Sequence, residues 1–81
     1  MKVAIYSLEK ILYEGDAKAV NAKTAVGEIT VLDHHRPLIS MLAEGPVRVT
    51  DNTSGDQWFN VKGGFLEVEP AGNSVRLLVE E

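Results

Sequence analysis

The fold class is decided by residues 57–69, which read Gln57-Trp58-Phe59-Asn60-Val61-Lys62-Gly63-Gly64-Phe65-Leu66-Glu67-Val68-Glu69. Apolar and polar residues alternate on both sides of a glycine pair, which is the pattern of two short strands. Glycine adopts positive φ angles readily, so Gly63-Gly64 predicts a tight turn and a β-hairpin. Trp58 and Phe59 are adjacent in the first strand, so one should face the core and the other solvent.

The same pattern continues on both sides of this segment. Upstream, Gly45-Pro46 marks a turn, residues 47–50 alternate cleanly, and residues 51–56 are turn formers. Downstream, a turn is predicted at residues 70–73 and a strand at residues 74–79. Short strands separated by turn residues predict an all-β fold, an antiparallel β-sandwich or flattened barrel.

The N-terminal half is less regular. Residues 2–7 alternate as a first strand and residues 11–13 predict a short second strand, whereas residues 16–21 alternate loosely, as in an edge or half-solvated strand. Residues 28–32 are rich in β-branched side chains and predict a further strand. The apolar run 37–43 fits a strand or a short helix, and we favour a strand because a helix would be isolated here.

Size and composition limit the classes of protein to consider. The 81 residues form one domain, 1–81, with 44% apolar and 25% charged residues and a net charge of -4. No cluster of Lys or Arg predicts nucleic-acid or anionic-lipid binding, so protein partners are expected. Cysteine is absent. No apolar run is long enough to span a bilayer and no export signal is visible, so a soluble, non-exported domain is expected.

Residues 27–39 hold both histidines, in a polar stretch between two apolar runs. Asp33-His34-His35 suggests metal ligands, but adjacent side chains of an extended strand point to opposite faces, so we expect no metal site. His35 could act with Ser7 or Ser40 in nucleophilic catalysis, yet no Gly-x-Ser-x-Gly motif is present. From the residues alone, a loop packed at the core edge and a protein-contact surface remain equally supported.

These residues also carry a family resemblance. The segment Gly27-Glu28-Ile29-x-Val31-Leu32-x-x-His35-x-Pro37-Leu38-Ile39, followed by Gly63-Gly64-Phe65-Leu66-Glu67-Val68, resembles the N-terminal β-domain of F-type ATP synthase epsilon subunits, called delta in mitochondria. The likeness covers nearly the whole chain in family order. It implies a β-sandwich of about ten short strands, in a non-catalytic rotor subunit without a cofactor.

The resemblance also implies partners and contact residues. Such a subunit joins the gamma subunit to the ring of c subunits in the central stalk and couples proton- or sodium-driven rotation to ATP synthesis. It lies at the cytoplasmic face of the bacterial inner membrane, membrane-associated only through the complex, and is expected to be a monomer in isolation. The implied c-ring contacts are Gly27, Glu28 and Ile29, and the implied gamma-subunit contacts are Ser7, His35, Ser40 and Lys62.

The chain departs from the family pattern in two places. The family usually has Pro-Gly-His-Ala-Pro where this chain has Asp33-His34-His35-Arg36-Pro37, which leaves the loop conformation open. Members usually continue into a C-terminal helical hairpin that can bind ATP or inhibit hydrolysis, and this hairpin is expected to be absent here, either naturally or by shortening. The alternative function is a free-standing β-sandwich binding module or a small hydrolase using His35.

Overall fold

The computed structural model describes residues 1–71 and 73–81, which form eight β-strands. In chain order the strands are β1 (Lys2–Tyr6), β2 (Ile11–Thr24), β3 (Gly27–Leu32), β4 (Leu38–Leu42), β5 (Gly45–Asp51), β6 (Gly55–Val61), β7 (Gly63–Val68) and β8 (Ser74–Glu80). The all-β sandwich expected from the sequence is therefore confirmed. None of the described residues forms a helix that could span a membrane.

The strands form one continuous hydrogen-bonded sheet folded into two layers. The first layer has the strand order β3-β2-β5-β6, and the second has the order β1-β8-β7-β4, with the N-terminal part of β2 pairing to β1. All pairs are antiparallel except β1 with β8. Thr24 at the end of β2 also pairs with Leu42 of β4, so β2 meets both sides of the second layer.

Strand β2 is the element that the sequence describes least well. Its 14 residues run without interruption through the positions at which two separate short strands were expected. The strand is not an edge strand, because residues 19–21 pair with β3 on one side and β5 on the other. The strand count is consequently eight where about ten were expected. A bend between Ala17 and Ala19 shifts the register as β2 passes from one layer to the other.

The core is built from alternate residues of both layers, as period-two patterning requires. Most of its members are valine, leucine or isoleucine. The fully buried side chains with the largest volumes are Ile5, Leu66, Leu77, Val3, Val20, Val31, Val47, Val49, Val68 and Val75. β-branched residues suit this arrangement because their stiff side chains pack well on a pleated sheet.

The hairpin predicted for residues 57–69 is wrong. In the described part of the chain, β6 pairs with β5, whereas β7 pairs with β4 and β8. The chain turns a corner between layers at Lys62, whose backbone N–H donates to the Glu80 carbonyl at 2.7 Å. The glycine pair opens β7 instead of forming a turn. Gly64 has φ of 137°, and a Cβ there would overlap the Leu78 carbonyl oxygen and lie 2.8 Å from the Val79 Cα.

Other expectations for individual segments are confirmed. Residues 28–32 and 38–42 are strands, and Phe59 packs against the core while Trp58 is exposed. The turn predicted at residues 70–73 includes Gly72, which lies outside the described residues. On either side of it, β7 and β8 pair in antiparallel register.

A polar contact joins the N-terminal part of β2, which pairs with β1 of the second layer, to β5 of the first layer. The Tyr13 hydroxyl of β2 donates to an Asp51 carboxylate oxygen of β5 at 2.8 Å, and the Tyr13 ring meets Phe59 of β6 edge to face at 6.0 Å. Asp51 also accepts hydrogen bonds from the backbone of Thr53 and Ser54, which fixes the β5–β6 loop. The hydrogen bonds from the Thr53 backbone and from Tyr13 hold the pKa of Asp51 well below its usual range.

Candidate docking face

The outer face of the second layer carries a row of exposed apolar side chains. Met41, Phe65 and Leu78 are aligned by strand pairing across β4, β7 and β8, and each exposes more than half of its surface. Tyr6 of β1 is paired with Leu78 and continues the row. Neighbouring strands lie about 4.8 Å apart, so the row spans roughly 14 Å. We call Met41, Phe65, Leu78 and Tyr6 the apolar row.

Strand alternation explains why these side chains remain outside the core. On β4, Leu38 packs against the core and Leu42 is buried, which leaves Met41 and Ile39 pointing outward at 58% and 71% exposure. Apolar residues on both faces of a strand indicate that both faces are covered in the working protein. Contiguous apolar patches on a soluble domain mark interaction sites.

A charged row runs beside the apolar row. Arg76 of β8 donates to Glu67 at 2.9 Å and lies 3.4 Å from Glu69, both on β7. These ion pairs are partly exposed, so each contributes at most about 1 kcal/mol. A shallow depression of about 380 Å³ lies between the two rows and is lined by Tyr6, Ile39, Phe65, Glu67, Arg76, Leu77 and Leu78.

The outer face of the first layer is different in kind. Its polar side chains bond to one another across strands: Asn21 donates to Thr30 at 2.8 Å and Thr50 donates to Asp56 at 2.9 Å. Its exposed aromatic residue, Trp58, lies under the guanidinium of cross-strand Arg48, 5.5 Å from the ring centroid. These side chains therefore make contacts within the domain, although the buried Nε of Arg48 has no hydrogen-bond partner among the described residues.

The predicted c-ring contacts lie at the tip of the β2–β3 hairpin. Gly27 has φ of 130° and Glu28 is exposed, but Ile29 packs against the core. The Thr24 hydroxyl donates to the Gly27 carbonyl at 2.6 Å and accepts from the Val26 N–H at 3.2 Å, which fixes the turn. Val26, which the sequence reading did not select, is 94% exposed at the tip.

The predicted gamma-subunit contacts do not form one cluster. Ser7 follows β1 and Lys62 precedes β7, so both lie at the end of the second layer where β8 finishes. His35 precedes β4 and lies at the opposite end. Ser40 alternates with Met41 and therefore faces the interior, opposite buried Leu66. Residues 27–39 are likewise divided, since β3 carries the chain from one end of the domain to the other.

The 33–37 loop is tied to the start of β1. The Met1 amino group lies 2.7 Å from Asp33 and 3.2 Å from Asp16. The hydrogen bond from this amine lowers the pKa of Asp33, and the same bond raises the pKa of the amine. His34 has φ of 62°, a left-handed backbone conformation that is uncommon for a residue other than glycine.

The geometry at His35 does not assemble a hydrolytic site. The half-buried His35 has Nδ1 2.8 Å from the Arg36 carbonyl oxygen, so Nδ1–H is the donor. Within residues 1–71 and 73–81, His35 makes no hydrogen bond to Ser7 or Ser40, and the Ser7 hydroxyl stabilises its own turn. No group of three or more potential ligands in that same part of the chain is arranged to hold a metal ion.

The apolar row was missed by sequence reasoning, although a signal for it existed. Each predicted strand that contributes to the row has apolar residues at consecutive positions, such as Met41-Leu42 and Leu77-Leu78. Such pairs place apolar side chains on both faces of a strand. What the sequence could not supply was the register that aligns them, because β1 and β4 are distant in the chain from β7 and β8.

The fold and this face define a class of small β-sandwich domain that exposes one apolar sheet face. The sequence model of the beta-sandwich domain of the ATP synthase delta/epsilon chain matches residues 1–81. The chain belongs to this family.

Two curated relatives support this assignment. The ATP synthase epsilon chain of Alkalilimnicola ehrlichii is 37% identical over 70 residues, which cover 86% of this chain and 50% of the relative. That of Brevibacillus brevis is 35% identical over 80 residues, covering 99% and 59%. The chain thus spans little more than half the length of these relatives.

Two solved structures share the fold. A chain from the central stalk/c-ring structure of the Tetrahymena thermophila mitochondrial ATP synthase matches with a TM-score of 0.80 at 24% identity, covering all of this chain and 63% of its own. A chain from the Euglena gracilis mitochondrial ATP synthase structure, which includes OSCP, F1 and the c-ring, matches with a TM-score of 0.89 at 22% identity, covering 98% and 49%.

Proposed function

We propose that this domain belongs to a central-stalk subunit of an F-type ATP synthase and joins the gamma subunit to the c-subunit ring. The subunit couples proton- or sodium-driven rotation to ATP synthesis and is not itself catalytic. The observation that carries the proposal is the uncovered apolar row on a domain of the epsilon-chain family. In this role the domain sits at the cytoplasmic face of the bacterial inner membrane and reaches the membrane only through the complex.

The gamma subunit is the partner proposed for the outer face of the second layer. A standard interface covers about 800 Å² on each partner, roughly a sixth of the 4938 Å² surface of this domain. The apolar row would form the centre of that patch and the Arg76 ion pairs part of its rim. Ser7 and Lys62 border the patch, whereas His35 would meet gamma only beyond the far end of β4.

The c-ring is the partner proposed for the β2–β3 hairpin tip. Glu28 offers a carboxylate to a basic residue of a ring loop, and an exposed pair of this kind contributes at most about 1 kcal/mol. Val26 offers an aliphatic side chain beside it. Because the Thr24 hydroxyl fixes the turn, little ordering entropy is lost on contact.

Rigidity is what the coupling role requires of the domain. Strand β2 belongs to both layers, and Tyr13 ties β2 to β5 through Asp51. A load applied at the hairpin tip therefore passes along continuous strands to the second layer. We expect the isolated domain to be a monomer, with the apolar row exposed until the gamma subunit binds.

Binding to a cognate gamma subunit tests the proposal. Phe65→Glu places a charge at the centre of the row and should weaken binding at least about 100-fold, because burying an unpaired carboxylate costs several kcal/mol. Trp58→Glu is the matched control: it changes an equally exposed aromatic residue on the opposite face and should stay within about threefold of wild type. Equal effects of both variants, with folding intact, would contradict the assignment of faces.

Disulfide crosslinking tests the ring contact. The chain contains no cysteine, so Glu28→Cys introduces a unique thiol, to be oxidised against cysteines placed in the ring loops of the assembled enzyme. We expect a crosslink from position 28 and none from the control Asn52→Cys, in the β5–β6 loop. Absence of any crosslink from position 28 would overturn this contact.

A further inference from the structure

A groove along β1 continues the docking face away from the apolar row. Its volume is about 640 Å³, and Ala4 provides the smallest side chain of its floor. The residues that line the groove include Lys2, Ala4, Tyr6, Glu14, Asp16 and Arg76. Tyr6 belongs both to this groove and to the apolar row, so the two form one continuous surface.

Of the five charged side chains that line the groove, Asp16, Glu69 and Arg76 form ion pairs within the described residues, whereas Lys2 and Glu14 form none. Asp16 is held by the Met1 amino group at 3.2 Å, and Arg76 pairs with Glu69 at 3.4 Å. Glu14 is exposed and makes no ion pair within the part of the chain that the structure describes. Strand pairing places Glu14 directly opposite Ala4, so its carboxylate borders the floor of the groove.

The apolar floor and the bordering carboxylate make this groove complementary to a long basic side chain. Lys and Arg lay an aliphatic stem on apolar surface and keep the charged head at its border. The aliphatic part of such a side chain would pack over Ala4, and its charged group would pair with the Glu14 carboxylate. Lys2 lies towards the other end of β1 from Tyr6, beside Asp16. A partner residue would therefore approach from the Tyr6 side.

We propose that the gamma subunit inserts an arginine or lysine into the groove over Ala4, with its charged group paired to Glu14. The inference rests on the proposed function, which supplies gamma as the occupant of the adjoining apolar row. It adds a charge requirement: the gamma surface next to its apolar contact carries a basic residue. A small-molecule ligand fits less well, because such sites enclose most of the ligand and this groove opens onto the row.

The test is the affinity of the whole chain for its cognate gamma subunit at several salt concentrations. Glu14→Lys should weaken binding about tenfold at low salt, since like charges at an interface repel strongly. Glu14→Gln should weaken binding a few-fold and flatten its salt dependence. Glu44→Lys and Glu44→Gln, at an exposed site between β4 and β5, are the matched controls and should remain within twofold of wild type.

A second pair of variants tests the proposed packing of the aliphatic part of the basic side chain over Ala4. Ala4→Leu fills the groove and should weaken binding about tenfold, whereas Ala4→Ser keeps its size and should not; denaturation curves establish that both variants fold. Binding that depends on Phe65 but is unaffected by Glu14→Lys and Ala4→Leu would overturn the basic-residue proposal alone. Failure of the wild-type chain to bind gamma would overturn the proposed function as well.

Discussion

The two outer faces of this sandwich differ in how many of their exposed side chains make contacts within the domain. The first layer has two cross-strand hydrogen bonds between polar side chains, and Arg48 lies over the ring of Trp58. The second layer aligns Met41, Phe65 and Leu78 and leaves them exposed. Residues of similar exposure thus have different surroundings, because Trp58 contacts Arg48 within the domain whereas the side chains of the apolar row are covered only in the proposed complex. Exposure alone does not identify a docking face.

The largest expected effect concerns how closely the strands of each layer approach. Gly64→Ala would drive a Cβ into the β8 backbone in the second layer and strain a positive φ, costing on the order of 3 kcal/mol or more of unfolding free energy. Gly55→Ala in the first layer has the same kind of backbone, φ of 79°, but no atom within 4 Å of the new Cβ, so about 1 kcal/mol is expected. Urea denaturation compares them. Equal losses would show that backbone strain, not the close β7–β8 approach, matters.

The tie between the layers should make stability sensitive to alkali. Burial, helped by the bond to Asp51, raises the pKa of Tyr13 to about 12, against roughly 10 in the unfolded chain. A raised pKa means that the stabilisation is complete below pH 10 and is lost as pH rises towards 12, a loss on the order of 2 kcal/mol. Denaturation at pH 8 to 11.5 measures the fall, and Tyr13→Phe should remove it. An unchanged fall in that variant would assign it to other groups.

Removing the tie at neutral pH should have a smaller effect. Tyr13→Phe keeps the ring against Phe59 but removes one donor to the Asp51 carboxylate, which retains its Thr53 and Ser54 donors. The expected cost is about 1.5 kcal/mol. Tyr6→Phe, on the outer face, is the control and should cost under about 0.5 kcal/mol. The Tyr13 bond would be unimportant if the two variants were equally stable.

A matched pair of substitutions compares the faces directly. Trp58 and Met41 are 60% and 58% exposed. Trp58→Thr should lower the unfolding free energy by about 1 kcal/mol because it removes the contact with Arg48, whereas Met41→Thr should change it by less than about 0.5 kcal/mol. Chemical denaturation of both variants gives the comparison. A larger loss at Met41 would mean that the apolar row supports the fold and not only a partner.

The smallest expected effect is a gain, in the loop that joins the layers. The His34 side chain is exposed, and its backbone has a positive φ that is strained for histidine but not for glycine. His34→Gly should therefore raise the free energy of unfolding by up to about 1 kcal/mol, less the entropy that glycine adds to the unfolded chain. His35→Gly, two residues before Pro37, has no such strain to relieve and should destabilise the domain. A loss of stability in His34→Gly would indicate that the histidine makes a contact worth more than its strain.

The sequence specified local structure far better than connections between strands. Alternation placed β3 and β5 correctly and separated Trp58 from Phe59, because side-chain period is a local property of the backbone, whereas β4 was favoured as a strand only because a helix would be isolated there. Alternation did not reveal that β2 is continuous, since Glu14 and Gly15 resemble the end of a strand until pairing with β1 holds them extended. The hairpin at Gly63-Gly64 failed for the same reason: glycine was needed for close approach to β8, a partner that only the folded chain brings near.

The candidate site divides in the same way. The hairpin tip with Gly27 and Glu28 could be selected from a short motif. The face could not, because its residues come from four strands, and Ser40 and Ile29 were chosen without knowing which way their side chains point. A motif identifies positions along the chain, whereas a docking face depends on register and on the parity of each position in its strand.

The parallel pairing of β1 with β8 has a consequence for biosynthesis. The second layer can close only when Lys2–Tyr6 pairs with residues 74–78, near the other end of the sequence. The fold therefore has a high contact order and should form slowly. During translation, β1 can pair with β2 early, but its other neighbour, β8, is made last of the described strands. Closure of the second layer must therefore follow the synthesis of β8.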